Sequence, residues 1–331
     1  MPGKAGGLGP RGESLVGRGL LLYSIPLWMA GLGVVAVEPK GISRMWIREL
    51  SPLPVIDSHV HVFPDRLAEA VRGWFSRHAW EFHEQGSSVE LLERLFEAGL
   101  DGAVLLTYAH RPGLSHALNE FVAHLVGRFP KAVGFATVHP GDEDPKGVLD
   151  RAFGELGLKG VKLHCHVQRV APDDPALDPV YESAVKWGVP VNIHAGKEPY
   201  IPAYGFDVRT ITGAHRVQRV LHRFGELKMI VPHLGFGETE KFYKLLELYP
   251  NLYLDTTMML AHFFPASVDR EALVSHCSRI LYGTDYPHIP YEMERELKNL
   301  LALELGEEAN RRILGQNARE LFGLDEGVDS G

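Results

Sequence analysis

At 331 residues, 45% hydrophobic and 23% charged, the chain has the make-up of a globular protein with a large core, as one big α/β domain or two smaller ones. A formal net charge of −8 argues against nucleic acid as a partner, because phosphate binding calls for a basic face. The two cysteines, Cys165 and Cys277, fall in or near apolar segments and read as buried thiols rather than a disulfide, while 17 histidines exceed what packing alone calls for.

The first 44 residues differ from the rest. Lys4, Arg11 and Arg18 precede an apolar stretch at 19–37, an order that resembles a secretory signal or an N-terminal anchor, with Val34 and Ala36 as small residues for a cleavage site. Pro26 and the glycines weaken that stretch as a membrane helix. Met45 leads directly into the first strand, so an overcalled start or a disordered extension competes with the signal reading. Residues 1–44 are therefore read as an extension, followed by one domain over 45–331. The location expected is cytoplasmic, or exported or membrane-anchored if residues 1–37 act as a signal.

From Pro54 onward, strand and helix patterns alternate. Eight apolar runs read as strands, at 54–60, 102–107, 132–138, 159–165, 189–194, 227–232, 251–255 and 279–284. They are continuously apolar rather than alternating, as parallel strands buried on both faces should be. Helical patterns at 89–98, 115–128, 147–156, 179–187, 213–224, 238–249 and 267–277 fill the gaps. Gly157, Gly188 and Gly225 read as left-handed caps before the next strand. Two more helices, at 290–306 and 308–323, end the chain. The pattern predicts a (β/α)₈ TIM barrel, and the span 54–324 suits the roughly 250 residues such a barrel needs. An open doubly wound sheet is the competitor. It would bind a ligand only at its switch point, and no Gly-x-Gly-x-x-Gly follows the first strand.

The chemistry concentrates at strand ends. His59 and His61 close the first strand, His194 the fifth, His233 the sixth and Asp285 the eighth, so a closed barrel would bring all five to one mouth. His59 and His61, two apart, point to the same side. Two protonated imidazoles so close would repel, and one cation binding both as neutral ligands removes that conflict. A pair of satisfied core histidines is the plain alternative for His-x-His alone, and it loses ground once His194, His233 and Asp285 join. Imidazole and carboxylate donors gathered in one place suit a divalent metal such as zinc.

Taken in order, Ile56-Asp-Ser-His-Val-His61, Gly160-Val-Lys-Leu-His164, Val191-Asn-Ile-His-Ala-Gly196, Val231-Pro-His-Leu-Gly235 and Tyr282-Gly-Thr-Asp-Tyr-Pro287 resemble the amidohydrolase superfamily. More narrowly they resemble its amidohydrolase-2 branch, which includes aminocarboxymuconate-semialdehyde decarboxylase and related metal-dependent hydrolases. The resemblance implies His59, His61, His194 and Asp285 as metal ligands. It implies His233 and Asp285 as the catalytic acid/base groups, with His233 facing the bound water or substrate. Asp57 is read as a turn or strand-edge hydrogen bond. A strand-four lysine is carbamylated and bridges two metals in binuclear relatives, but this branch usually holds one. A single divalent ion is therefore expected, zinc first, with manganese or iron(II) as alternatives. Lys162 and His164, on the same side of the chain as His166, are then candidates for substrate binding.

A catalytic metal lowers the pKa of bound water from 15.7 to about 7. The first expectation is hydrolysis, with such a water attacking a carbonyl carbon of a small, carboxylate-bearing amide, lactone or ester. Nonoxidative decarboxylation is the rival, because the same ligands support it. Metal binding without turnover is a third reading, disfavoured by the complete ligand set. Specificity falls to the loops 63–88, 166–178, 197–212 and 257–266. Arg169, Arg209 and Lys197 are candidates for an anionic substrate, though surface charge is the plainer reading of each. His110, His139, His262 and His288 read as loop histidines. The partner expected is a small molecule, with a homodimer implied by resemblance and no membrane partner unless 19–37 is an anchor.

Overall fold

The computed structural model describes residues 47–324, so the extension at 1–44 and its apolar stretch lie outside the described residues. The strands are β1 (Ile56–His61), β2 (Gly102–Leu106), β3 (Ala132–Gly134), β4 (Ala136–Thr137), β5 (Val161–His164), β6 (Val191–His194), β7 (Met229–Val231), β8 (Leu252–Asp255) and β9 (Ile280–Leu281). Every pairing is parallel, in the order β1-β2-β3 and β4 to β9. Helices separate consecutive staves, and nearly every strand residue is buried, as a parallel sheet covered on both faces requires.

The third run expected from the sequence is one stave broken at Phe135. The Phe135 amide donates to the Leu105 carbonyl at 3.0 Å, and the next amide, Ala136, donates to Gly160 at 2.7 Å. The chain thus hands its pairing from β2 to β5 within one residue, which joins the two sheets. Beyond β9 the backbone runs alongside β1. Ser58 donates to Tyr282, His61 donates to Tyr286, and Asp285 donates to His59, at 2.8, 2.7 and 3.0 Å. These bonds complete the ring of a TIM barrel.

Inside, Val104, Phe135, Ile230 and Leu281 pack with Ile56 and with Leu321 and Phe322 from the last helix, Asn317–Phe322. That cluster is the apolar floor on which the polar mouth rests. Regular alternation would put Ile56 and His59 on opposite faces of β1. The β1–β2 register shifts between Asp57 and Val60, and this irregularity lets both Ile56 and His59 face inward.

Most helices fall where the periodicity put them, and Ser115–Arg128 matches residue for residue. Asp65–His78 and the four-residue helix Cys165–Gln168 lie in spans read as loops; the first carries an apolar stripe, Leu67, Val71, Trp74 and Phe75, whose side chains are only half-buried. Gly157 and Gly188 have φ of 69° and 67°, as the cap reading requires. Gly225 does not, and the helix Ala214–Arg223 is closed instead by Phe224, with φ −119° and ψ 70°. Cys165 is buried and Cys277 half-buried, and both are free thiols. Among the described residues no helix is long and apolar enough to cross a membrane.

The loop after β8 is held from behind by the helix Glu294–Ala302. Glu296 is fully buried and accepts from the Leu260 amide at 3.1 Å and the Tyr291 hydroxyl at 2.7 Å, while Asn299 donates to the Leu260 carbonyl at 2.7 Å. Burial pushes the Glu296 carboxyl up from 4.5 to about 8. A raised carboxyl favours the fold while it keeps its proton. Its contribution is therefore complete below about 4.5 and lost as pH rises through about 8. In urea unfolding between pH 5 and 9, Glu296→Gln is expected to flatten a decline on the order of a few kcal/mol at most. Equal slopes in parent and variant would show that this carboxyl does not set the dependence.

Candidate active site

His59 and His61 leave the end of β1 with ring centroids 5.1 Å apart. Asp285 meets both, its Oδ1 lying 3.3 Å from His59 Nε2 and 3.2 Å from His61 Nε2. One donor atom from each of the three lies within 4.8 Å of the others. Three features position them. Asp255, at the end of β8, accepts from His59 Nδ1 at 2.9 Å, which leaves Nε2 as the bare nitrogen facing Asp285. Asp57 accepts from the amides of His59 and Thr284 at 2.9 and 3.1 Å, tying the first and last staves together. Gly283 lets them approach, because a Cβ there would lie 2.4 Å from Thr257 Oγ1 and 3.0 Å from the His59 Cβ.

Asp285 and His233 take left-handed backbone conformations, φ 73° and 57°, and Leu234 and Met258 at the same mouth have φ 50° and 59°. Such conformations cost of order 1–3 kcal/mol each and cluster where a site demands a particular side-chain direction. His233 is oriented from both ends. Its amide donates to Asp255 at 3.0 Å, and Nδ1 meets the Thr257 carbonyl at 3.0 Å. The carbonyl must accept, so Nδ1 carries the proton and Nε2 is left bare.

A second set of imidazoles adjoins the first. His164 and His194 are register partners on β5 and β6, and their rings stack at 4.1 Å. His166, from the short helix Cys165–Gln168, stands edge-on to His194 at 4.7 Å. The Glu198 carboxylate reaches in from the loop after β6. It touches His194 Nε2 and lies 3.6 Å from both His166 Nδ1 and His233 Nε2. His233 stands between the sets, 5.7 Å from His59 and 4.8 Å from His194 by ring centroid.

Burial governs the charges. It lowers the pKa of His59 to about 4 and that of His61 below its usual range, and it drives His164 and His194 well below theirs. Burial alone would raise Asp285, but the hydrogen bond and charge of His61, and then His59, hold it well below the carboxylate range. Burial also raises Asp57 to about 7 and lowers Lys162 to about 8. At neutral pH His59, His61, His164 and His194 are thus uncharged imidazoles beside carboxylate. His61 Nδ1, His164 Nδ1, His166 Nε2 and His233 Nε2 are all buried without a hydrogen-bond partner.

Above these groups opens a pocket walled by aromatic rings and methionines, among them Trp74, Trp80, Tyr108, Tyr204, Met258 and Phe264. No lysine or arginine is among the described residues that line it. Of the residues expected from the sequence, His61, His164, His194, His233 and Asp285 line the pocket, and His59 lies just beneath. Two of them lie elsewhere than beside the first pair. His194 stands next to its register partner His164, and its donor atoms fall outside the 4.8 Å set of His59, His61 and Asp285. Lys162 does not line the pocket. It lies two residues before the end of β5, one layer deeper, fully buried, with Nζ 2.8 Å from Asn192 Oδ1 and 3.2 Å from His59 Nε2. Arg169, Arg209 and Lys197 are engaged with Tyr204, Asp207 and Glu238. Sequence reasoning missed Asp255 and Glu198, noted His166 only as sharing a side with His164, and passed over His288, which stacks on His61 at 4.5 Å.

Comparison with known proteins places this geometry. A family model described as amidohydrolase matches residues 56–324. Over 249 residues the chain is 27% identical to 2-amino-3-carboxymuconate-6-semialdehyde decarboxylase of Dictyostelium discoideum, covering 64% of this chain and 67% of that protein. Among solved structures, an uncharacterized TIM-barrel protein from Bordetella bronchiseptica superposes with a TM-score of 0.65 at 23% identity, over 82% of this chain and 99% of that one. The 5-carboxyvanillate decarboxylase of Novosphingobium aromaticivorans, solved with bound manganese, gives 0.61 at 18%, over 85% and 100%. These structural likenesses concern the fold. Amidohydrolase family members bind a divalent metal, and the buried histidine and acid clusters of this barrel are consistent with one. Because the family match spans the whole barrel and every residue at its mouth, the chain belongs to the amidohydrolase family and is an enzyme.

Proposed function

We propose that the chain is a metal-dependent nonoxidative decarboxylase of a small aromatic or enoic carboxylic acid. The residues fit a metal. Two imidazole nitrogens face a buried carboxylate oxygen at 3.2–3.3 Å, and the Asp255 bond to the far nitrogen of His59 sets its tautomer for ligation. His59, His61 and Asp285 would hold the ion, and we assign zinc on the imidazole-rich donor set, with manganese or iron(II) as alternatives. Bound there, it supplies Lewis acidity toward the substrate's carboxylate or a neighbouring oxygen.

The observation that carries the reading is the pocket wall. Aromatic rings surround the imidazoles, and no cationic side chain lines the pocket among the described residues. A substrate with a flat unsaturated body and one carboxylate suits such a wall, since a second carboxylate would go unpaired. The decarboxylase activity of the curated relative points the same way. Loss of CO₂ leaves the bonding electron pair on the substrate carbon, which must then take a proton. His233 is our assignment for that transfer: with Nδ1 fixed on the Thr257 carbonyl, its Nε2, turned to the pocket, would take up a proton from solvent and pass it to that carbon. Trp74, Trp80 and Phe264 keep water from the exposed carbon.

Metal-loaded enzyme should release CO₂ from members of a panel of aromatic and enoic acids, read by a coupled CO₂ assay with product identification by mass. Hydrolysis, the first expectation from the sequence, is the other outcome. Turnover of lactones, esters or amides without CO₂ would overturn the decarboxylase assignment.

A further inference from the structure

Two phenols in the pocket wall are left over by the fold. Tyr108 comes from the loop after β2 and Tyr204 from the short turn Pro202–Tyr204 after β6, and both line the pocket. Neither hydroxyl has a hydrogen-bond partner among the described residues. Other tyrosines are spent on structure: Tyr181 donates to the Pro172 carbonyl at 2.6 Å, Tyr286 to Glu84 at 3.0 Å and Tyr291 to Glu296 at 2.7 Å. Trp80 is spent as well, its Nε1 donating to the His288 carbonyl at 2.7 Å. The two open phenols are nevertheless held in place. Tyr108 stands edge-on to His61, Phe63 and His164, with centroids 5.6, 4.9 and 4.9 Å away. Tyr204 packs on Trp74 at 5.2 Å and edge-on to His166 at 5.9 Å, and its carbonyl accepts from Arg169 at 3.0 Å. Fixed polar groups of this kind, few and set in an apolar wall, orient a ligand.

Their charge says what they can hold. A phenol titrates near about 10, so at neutral pH each hydroxyl is an uncharged group that both donates and accepts. Glu198 and Asp285 line the same space, and no lysine or arginine among the described residues does. Beside those carboxylates, neutral hydroxyls do not repay the burial of a further anion, but they match an uncharged oxygen. We infer that Tyr108 and Tyr204 are the specificity-determining pair of the pocket, their hydroxyls hydrogen-bonding uncharged oxygen substituents (hydroxyl, aldehyde or ketone) on the substrate's unsaturated body. The inference rests on the decarboxylase reading for that body and its single carboxylate. It narrows the substrate to an oxygenated monocarboxylic acid, and an analogue without the oxygen would leave both phenols unpaired.

The test is equilibrium binding, which needs no turnover. Calorimetry on metal-loaded full-length enzyme compares benzoate, meta- and para-hydroxybenzoate, para-formylbenzoate and terephthalate. The native chain should bind the hydroxy and formyl acids more tightly than benzoate, and terephthalate more weakly than either. In Tyr108→Phe and in Tyr204→Phe, the affinity for the oxygenated acids relative to benzoate should fall about 3–10-fold, the usual worth of a neutral hydrogen bond. The double variant should lose about 10–100-fold. Circular dichroism and metal content check that the variants are folded and loaded. A preference for terephthalate, or a ratio to benzoate that is the same in the native chain and both folded variants, would overturn the inference. The expected ratios without CO₂ release from any acid would sink the decarboxylase reading alone. CO₂ release with ratios unmoved by either substitution would sink this inference alone.

Discussion

Replacing His233 by alanine is expected to leave the His59, His61 and Asp285 ion bound while lowering kcat/KM by about 10²–10⁴-fold, the range for loss of a positioned proton-transfer group. That is about 3–5 kcal/mol of transition-state stabilisation. The argument rests on where the ring is fixed. Its proton-bearing Nδ1 is held by the Thr257 carbonyl at 3.0 Å, so the free Nε2 is the atom presented to a substrate. The ring stands 5.7 Å from His59 by centroid and is not part of the close triad with Asp285. His61→Ala makes the contrast. It removes a donor 3.2 Å from Asp285 Oδ1 and should lose both ion and turnover. Metal content by emission spectroscopy, with turnover on the same samples, separates the two variants. Equal metal loss in both would make His233 a ligand and remove it as the proton donor.

The barrel was legible because parallel strands covered on both faces must be apolar along their whole length, and such runs stand out in a sequence. Residues that end those runs were legible for the same reason: His59, His61, His194, His233 and Asp285 are polar groups where an apolar stave stops. What stayed hidden depends on partners far along the chain. The register shift in β1 that turns both Ile56 and His59 inward is a property of the pairing with β2. His166 lies past the end of β5, in a helical turn, where the strand period no longer says which way a side chain points. Glu198 sits in a loop four residues beyond His194, a spacing that means nothing until the loop folds back over the mouth. His288 follows Asp285 by three residues, and only the turn that carries its amide to the Asp285 carbonyl at 2.7 Å swings its ring onto His61.

Asp255 is the clearest case, since it ends an apolar stave as Asp285 does and yet serves a different purpose. Both its oxygens are committed, one to His59 Nδ1 at 2.9 Å, the other to the amides of His233 and Thr257 at 3.0 and 3.2 Å. Burial alone would raise its carboxyl, but the charge and hydrogen bond of His59 bring it to about 2, so it is the ionised acceptor that fixes the His59 tautomer. In Asp255→Asn the two amides would claim the remaining oxygen, and the new NH₂ would face His59 Nδ1. That nitrogen would then accept, the ring proton would move to Nε2, and the nitrogen turned toward Asp285 would change from ligand to donor. Metal affinity is expected to fall about 10–100-fold, the usual cost of losing such an orienting group. Asp255→Ala would strand two buried amides and an imidazole, and should also cost about 3–5 kcal/mol of stability, as breaking a buried charged pair does. Competition with a chromophoric chelator measures the first effect and urea unfolding the second. An asparagine variant that binds zinc as tightly as the parent would mean that the His59 tautomer is set elsewhere, and Asp255 would then be a structural clamp on the loop after β8 and nothing more.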